Sequence, residues 1–259
     1  MNSNWMNKVK VVGLMLVLGL LLFCAWKDMD RREKLLSQSL EEPHDSEEKE
    51  EVSERIVDPT KPMIALTFDD GPGKYTMQLL EQLETYGAKA TFFLVGENVG
   101  KYSDVVRKMH EIGCEIGNHT MNHARLTTLA DANVMAQISG TNEVVKSIVG
   151  KDITFLRPPY GSTDDRVAGL AGGPLIMWSV DTNDWGNKDA TAVRNHVLSE
   201  VEDGDIILMH DIHETTVQAT LELIPMLIEK GYQLVTISEM ATARAVVLQN
   251  GLKYYDFKK

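Results

Sequence analysis

Asp69 and Asp70 close an apolar run in Thr67-Phe68-Asp69-Asp70-Gly71-Pro72, and further along His119 and His123 stand four positions apart in His119-Thr120-Met121-Asn122-His123. Two carboxylates and two imidazoles offer what a hydrolytic metal site needs: oxygen and nitrogen ligands for a divalent ion, with a spare base left over. Metal-dependent hydrolysis is the chemistry these residues point to. The i, i+4 spacing of the histidines would place both rings on one face of a helical turn.

Side chains so far apart in the chain need a frame to bring them together. From Pro62 onward, apolar bursts of strand length alternate with segments of helical period, the pattern of parallel strands joined by crossover helices. It predicts strands at Met63–Phe68, Ala90–Val95, Glu115–Gly117, Thr154–Leu156, Leu175–Val180, Ile206–Met209 and Gln233–Thr236. Helices are expected at Thr76–Tyr86, Ser103–Ile112, Ala130–Val149, Asp189–Val201 and Thr215–Lys230. Each polar cluster follows one of the strands: Asp69-Asp70, His119 with His123, Arg157 to Gly161, Asp181 to Trp185, and His210-Asp211. Parallel strands collect reactive groups at their carboxyl ends, so these clusters reinforce one another.

The 259 residues suit one α/β domain with appendages. A net charge of −12 and a pI near 5.0 argue against nucleic acid, whose phosphates want a basic face. The only cysteines, Cys24 and Cys114, make no disulfide framework. Lys8 and Lys10 precede an apolar run from Val11 to Trp26, and the run ends in Phe23-Cys24-Ala25-Trp26, a poor cleavage site. Residues 1–27 are read as an uncleaved signal anchor or transmembrane segment, with the catalytic domain outside a cell membrane; were the segment cut, the protein would be secreted. Asp28 to Asp58 holds twelve acidic and five basic side chains and almost nothing aromatic, which reads as a solvated stalk over 28–60. A catalytic domain over 61–245 and a tail over 246–259 complete the expected layout.

Taken in order, TFDDGP, HTMNH, RPPYG, DTNDW and LMH resemble the five motifs of the polysaccharide deacetylase family, carbohydrate esterase family 4, whose module is also called the NodB-homology domain. The resemblance spans about Pro62 to Met240. It implies an α/β fold, a distorted barrel of about seven β/α units, and hydrolysis of N-acetyl groups on the amino sugars of a polymer.

Position by position, the resemblance implies that Asp70, His119 and His123 bind the metal, zinc first among the candidates, with cobalt or another divalent ion also suited to N/O ligation. Asp69 would be the general base and Arg157 would hold it ionised. The backbone N–H of Tyr160 would help hold the oxyanion. His210 would protonate the departing amine, oriented by Asp184. Trp185 and Leu208 would wall the acetyl methyl, and Gly71 and Gly73 would permit a tight turn.

His213, Asp181, His44, His110, His196 and Cys114 receive bland readings: a helix start, a loop-shaping carboxylate, solvated imidazoles and a buried thiol. An anchor, a stalk and such a module suggest a substrate beside the outer membrane face, peptidoglycan N-acetylglucosamine being the simplest. The alternatives are muramic acid, spore-cortex glycan, chitin oligomers, another exported polysaccharide, an O-acetyl esterase, or a noncatalytic wall-binding protein.

Overall fold

The computed structural model describes residues 26–32, 34, 55 and 57–259. The chain divides into two units, Met1–Arg55 and Ile56–Lys259. In the first, the described residues 26–32 and 34 are helical. Most of the expected anchor and much of the stalk lie outside the described residues. Among the described residues no helix is long and apolar enough to cross a membrane.

The second unit is built on a six-stranded sheet: β1 (Met63–Asp69), β2 (Thr91–Leu94), β3 (Glu115–Asn118), β5 (Val180–Asp181), β6 (Ile206–His210) and β7 (Gln233–Leu234). Its order is β3-β2-β1-β6-β5, with β7 also on β1, and every ladder is parallel. A second, two-stranded sheet pairs β4 (Leu175–Ile176) with β8 (Lys253–Tyr254). Among the described residues the distorted barrel implied by the family resemblance does not close. Only isolated bridges, Asn118 to Leu156 and Leu156 to Leu175, link β3 toward β4.

Arg157 explains that break. The strand expected at Thr154–Leu156 is reduced to the Leu156 bridges, and the one expected at Leu175–Val180 is split into β4 and β5. Arg157 donates from Nε to the carbonyl of Ile176 at 2.9 Å and from Nη2 to that of Met177 at 2.8 Å, so these acceptors serve a buried guanidinium instead of a ladder.

The expected long helices form at Thr76–Thr85, Ser103–Glu111, Asp131–Val149, Ala190–Glu200 and Glu214–Glu229. Asp189 caps one start by accepting from the N–H groups of Thr191 and Ala192. Gly150, at φ 70°, takes the left-handed cap at the end of another. Ile237–Ala243 is a helix that the strand and helix pattern did not predict, although its capping box, Thr236 with Glu239, is written in the sequence. The segment read as a tail contributes β8 and buries Phe257.

Period-two alternation sorts the strands' side chains onto two buried faces. Ile64, Leu66, Phe68, Phe92, Leu94, Ile207 and Met209 belong to a core shared with the helices. Met63, Ala65, Phe93 and Ile206 belong to a second core on the opposite face. Along β1 that second face continues through Thr67 to Asp69, so the chemistry begins where an apolar stripe ends.

Gly117 lets β3 lie close on this face. A Cβ there would sit 2.4 Å from Cδ1 of Phe93, whose ring also carries the Arg157 guanidinium at 4.1 Å. We therefore expect Gly117→Ala to destabilise the protein by about 1–3 kcal/mol, read as a lower denaturation midpoint. An unchanged midpoint would show that Phe93 yields freely.

Candidate active site

Three strand ends and two loops meet at the carboxyl edge of the large sheet. β1 ends in Asp69 and β6 in His210, and the two are partners in the parallel register, which sets a carboxylate and an imidazole side by side. His119 follows β3, and Arg157 follows the Leu156 bridge. Around them lies a cavity of about 440 Å³ lined by Asp69, Asp70, His119, His123, Tyr160, Gly161, Trp178, Asp181, Trp185, Leu208 and His210. Arg157 and Asp184 stand behind this wall, each fully buried and each holding one lining residue.

His119 and His123 do come together, with ring centroids 5.1 Å apart, but the expected helical turn is absent. Thr120 and His123 adopt φ of 68° and 59°, so the chain folds back through left-handed residues instead. Asp70 and Tyr160 are left-handed too, at 70° and 62°. Four non-glycine residues in this region at one cavity are a concentration of backbone strain, held by the surrounding contacts. Asn98 Nδ2, for example, donates to the Asp70 carbonyl at 3.0 Å, and Asn118 Oδ1 accepts from Thr120 N–H at 2.7 Å.

His119 Nδ1 lies 2.6 Å from the Arg157 carbonyl, which can only accept, so Nδ1 carries a proton and Nε2 is the ring nitrogen turned to Asp70. That Nε2 and the Nε2 of His123 lie 3.4 and 3.2 Å from Oδ1 of Asp70. Oδ1 is buried and receives no hydrogen bond. A buried carboxylate oxygen that takes no hydrogen bond leaves a place for a cation, and this oxygen and the two imidazole nitrogens all lie within 4.8 Å of one another. The donor set therefore fits a divalent ion, with one carboxylate and two imidazoles as ligands. Burial opposes the charged form of Asp70, but the imidazole of His119, with those of His123 and His210, holds its carboxyl down to about 2.

Asp69 is kept apart from this triad by its own clamp. Arg157 Nη1 donates to Asp69 Oδ1 at 2.8 Å and to Thr67 Oγ1 at 2.7 Å, gripping two residues on the same face of β1. The second oxygen, Oδ2, is left toward the cavity, 3.7 Å from His119 Nε2.

Asp184 is built as an acceptor for His210. Its Oδ1 takes the His210 Nδ1–H at 2.8 Å and the Trp185 N–H at 2.9 Å; its Oδ2 takes the His210 N–H and the Thr216 hydroxyl, both at 2.7 Å. Burial pushes this carboxyl up, but the His210 imidazole, with the Thr216 hydroxyl and the His210 N–H, holds it below its usual range. Burial also disfavours the His210 cation, but Asp184 outweighs it and raises the imidazole to about 9.

Some lining residues went unread in the sequence. Trp178 had no motif-level signal, Gly161 closed the RPPYG motif without a role of its own, and Asp181, read as a loop-shaper, both accepts the Asn183 N–H at 2.9 Å and borders the cavity. Asp211, next to His210, is fully buried and accepts from the Thr76 hydroxyl. Burial pushes its carboxyl up to about 7 against that hydrogen bond. It also explains Gly71: a Cβ there would lie 2.5 Å from Asp211 Oδ1, so this glycine is required by close approach. His213 is half-buried just before the Glu214–Glu229 helix, its ring 6.2 Å from that of His210.

Comparison with known proteins agrees with this geometry. The family model for polysaccharide deacetylase matches residues 56–172. Over 188 residues the chain is 38% identical to the peptidoglycan-N-acetylmuramic acid deacetylase PdaC of Bacillus subtilis, covering 72% of this chain and only 40% of that protein's length. It is 38% identical over 187 residues to a peptidoglycan-N-acetylglucosamine deacetylase of Bacillus cereus, covering 69% of this chain and 87% of the relative. A family 4 acetyl xylan esterase from Clostridium thermocellum, solved with a cobalt ion, superposes with a TM-score of 0.71 at 31% identity, covering 75% of this chain and 98% of that one. Identity of this level across 87% of a relative's length leaves one conclusion: the chain belongs to the polysaccharide deacetylase family.

Proposed function

We propose that this protein is a metal-dependent hydrolase that removes N-acetyl groups from amino sugars of peptidoglycan, with N-acetylglucosamine as the preferred sugar. The observation that carries the reading is the orphaned Oδ1 of Asp70 facing the Nε2 atoms of two imidazoles, beside a clamped carboxylate and a carboxylate-backed histidine. The named activities of its relatives supply the substrate class.

Asp70, His119 and His123 would hold the ion, zinc first, with cobalt, the ion present in the acetyl xylan esterase structure, also suited to N/O donors. A divalent ion there would polarise the acetyl carbonyl and make water a better nucleophile. Asp69, aimed by Arg157, takes the proton from the attacking water. The Tyr160 N–H, presented by a left-handed turn, helps hold the charge that grows on the carbonyl oxygen. His210, with Nδ1 committed to Asp184, donates its other ring proton to the nitrogen as the C–N bond breaks. An amine leaves poorly without that proton. Trp185 and Leu208 enclose the acetyl methyl on the cavity's apolar side.

The N-terminal apolar run and acidic stalk would place this module outside the cell membrane, next to the wall. The direct test is acetate release from purified peptidoglycan by the full chain with zinc or cobalt, followed by mass spectrometry of the glycan fragments. We expect loss of acetyl groups from glucosamine, stopped by a chelator and restored by either metal. Absence of release with both metals would sink the proposal. Loss of acetyl groups from muramic acid alone would reassign the sugar.

A further inference from the structure

Arg125 lies at the rim of the cavity and plays no part in the mechanism above. Its guanidinium carbon sits 4.4 Å from the centroid of the Tyr160 ring, and that ring meets His123 edge-on at 4.7 Å. Tyr160 is more than half exposed, and Arg125 is exposed. In this unit Arg107, Arg157, Arg166, Arg194 and Arg244 each pair with a carboxylate. Arg125, among the described residues, does not.

An unpaired guanidinium is conspicuous on a chain of net charge −12. Stacking uses the face of the guanidinium and leaves its in-plane N–H donors directed outward, in the fork that matches a carboxylate. The cavity itself carries Asp69, Asp70 and Asp181 on its walls, so an anionic group of a substrate is repelled from the interior and accepted at this edge.

We infer that Arg125, braced on Tyr160, is a specificity-determining residue that binds a carboxylate on the sugar adjoining the one being deacetylated. The inference rests on the peptidoglycan reading, because a homopolymer of N-acetylglucosamine has no such group. In peptidoglycan the carboxylate belongs to the lactyl arm of the neighbouring muramoyl residue or to the stem peptide attached to it. Arg125 thereby makes the protein prefer the wall polymer to a neutral glycan that carries the same acetamido group.

The test compares the zinc-loaded full chain with Arg125→Gln and Arg125→Lys on three glycans of equal length: chitooligosaccharide, peptidoglycan glycan with stems, and the same glycan with stems removed. We expect Arg125→Gln to raise KM on the carboxylate-bearing glycans about tenfold more than on chitooligosaccharide, the scale of one charge-assisted contact. Arg125→Lys, which keeps charge but not the planar fork, should recover part of the loss. Salt should raise the parent's KM on the anionic glycans and affect Arg125→Gln less. A loss confined to the stem-free glycan assigns the lactyl carboxylate, and one confined to the stem-bearing glycan assigns the peptide. An equal factor on all three glycans overturns the inference. Calorimetric binding of the same glycans, with and without Arg125→Gln in an Asp69→Asn background, needs no turnover. It decides the role of Arg125 even if acetate release fails.

Discussion

Asp69→Asn is expected to lower kcat for acetate release by roughly 10²- to 10⁴-fold, the range over which a positioned general base contributes, while zinc content stays that of the parent. The two halves of this result separate neighbouring carboxylates. Asp70 Oδ1 faces both Nε2 atoms, whereas Asp69 gives one oxygen to Arg157 and keeps the other toward the cavity. Asparagine preserves the shape of Asp69 and removes its ability to accept a proton. It also leaves Arg157 charged and fully buried without its counter-ion, a situation that costs about 3–5 kcal/mol where a buried pair is broken from one side. A thermal melt beside the kinetic assay therefore separates misfolding from lost chemistry. Bound zinc with a cooperative melt and little turnover is the expected combination; parental turnover would remove Asp69 from the mechanism.

Asp184→Asn should reach the same site from its other side and change the pH profile as well as the rate. His210 must be protonated to serve the leaving nitrogen, and Asp184 raises its imidazole from 6.5 to about 9 against the effect of burial. The sign follows directly. In the parent the donor form persists as pH climbs past 6.5, and activity falls as pH passes about 9. Without the carboxylate charge, burial is no longer outweighed and brings the imidazole back toward its ordinary value. The falling limb then moves down by as much as the two values differ. Between them the parent is charged and active, while the variant is neutral and loses roughly 10²- to 10⁴-fold in kcat. A merely structural role for Asp184 would depress the rate at every pH and leave the falling limb in place, so the position of that limb is the deciding measurement.

Much of the architecture could be read ahead because it follows from local physics. The strands β1 and β6 are short apolar runs ending in polar residues, β2 is an apolar burst, and the long helices carry apolar stripes and caps, so type and order emerge from periodicity. What periodicity missed are features that depend on remote partners. The carbonyls of Ile176 and Met177 look ordinary in the sequence, yet they serve Arg157 and split a strand in two. Lys253–Tyr254 carries little signal as a strand until β4 is present to pair with it.

The site divides in the same way. Residue types and their places after strands were enough to point to Asp69, Asp70, His119 and His123, because parallel strands leave their carboxyl ends on one edge whatever the details of the loops; the family resemblance was needed to single out Arg157, Tyr160, Asp184, Trp185, Leu208 and His210. The sequence could not reveal how His119 and His123 meet. Their spacing suited a helix, and the structure uses left-handed residues that cost energy locally and persist only because Asn98, Asn118 and Arg157 hold them. Nor could it show that Arg125 would lie on Tyr160, or that Asp211 would press against Gly71. The identity of the reactive groups was written in the chain; their distances, their exposure and their charge states were settled by packing, because those properties belong to pairs of residues that only the fold makes neighbours.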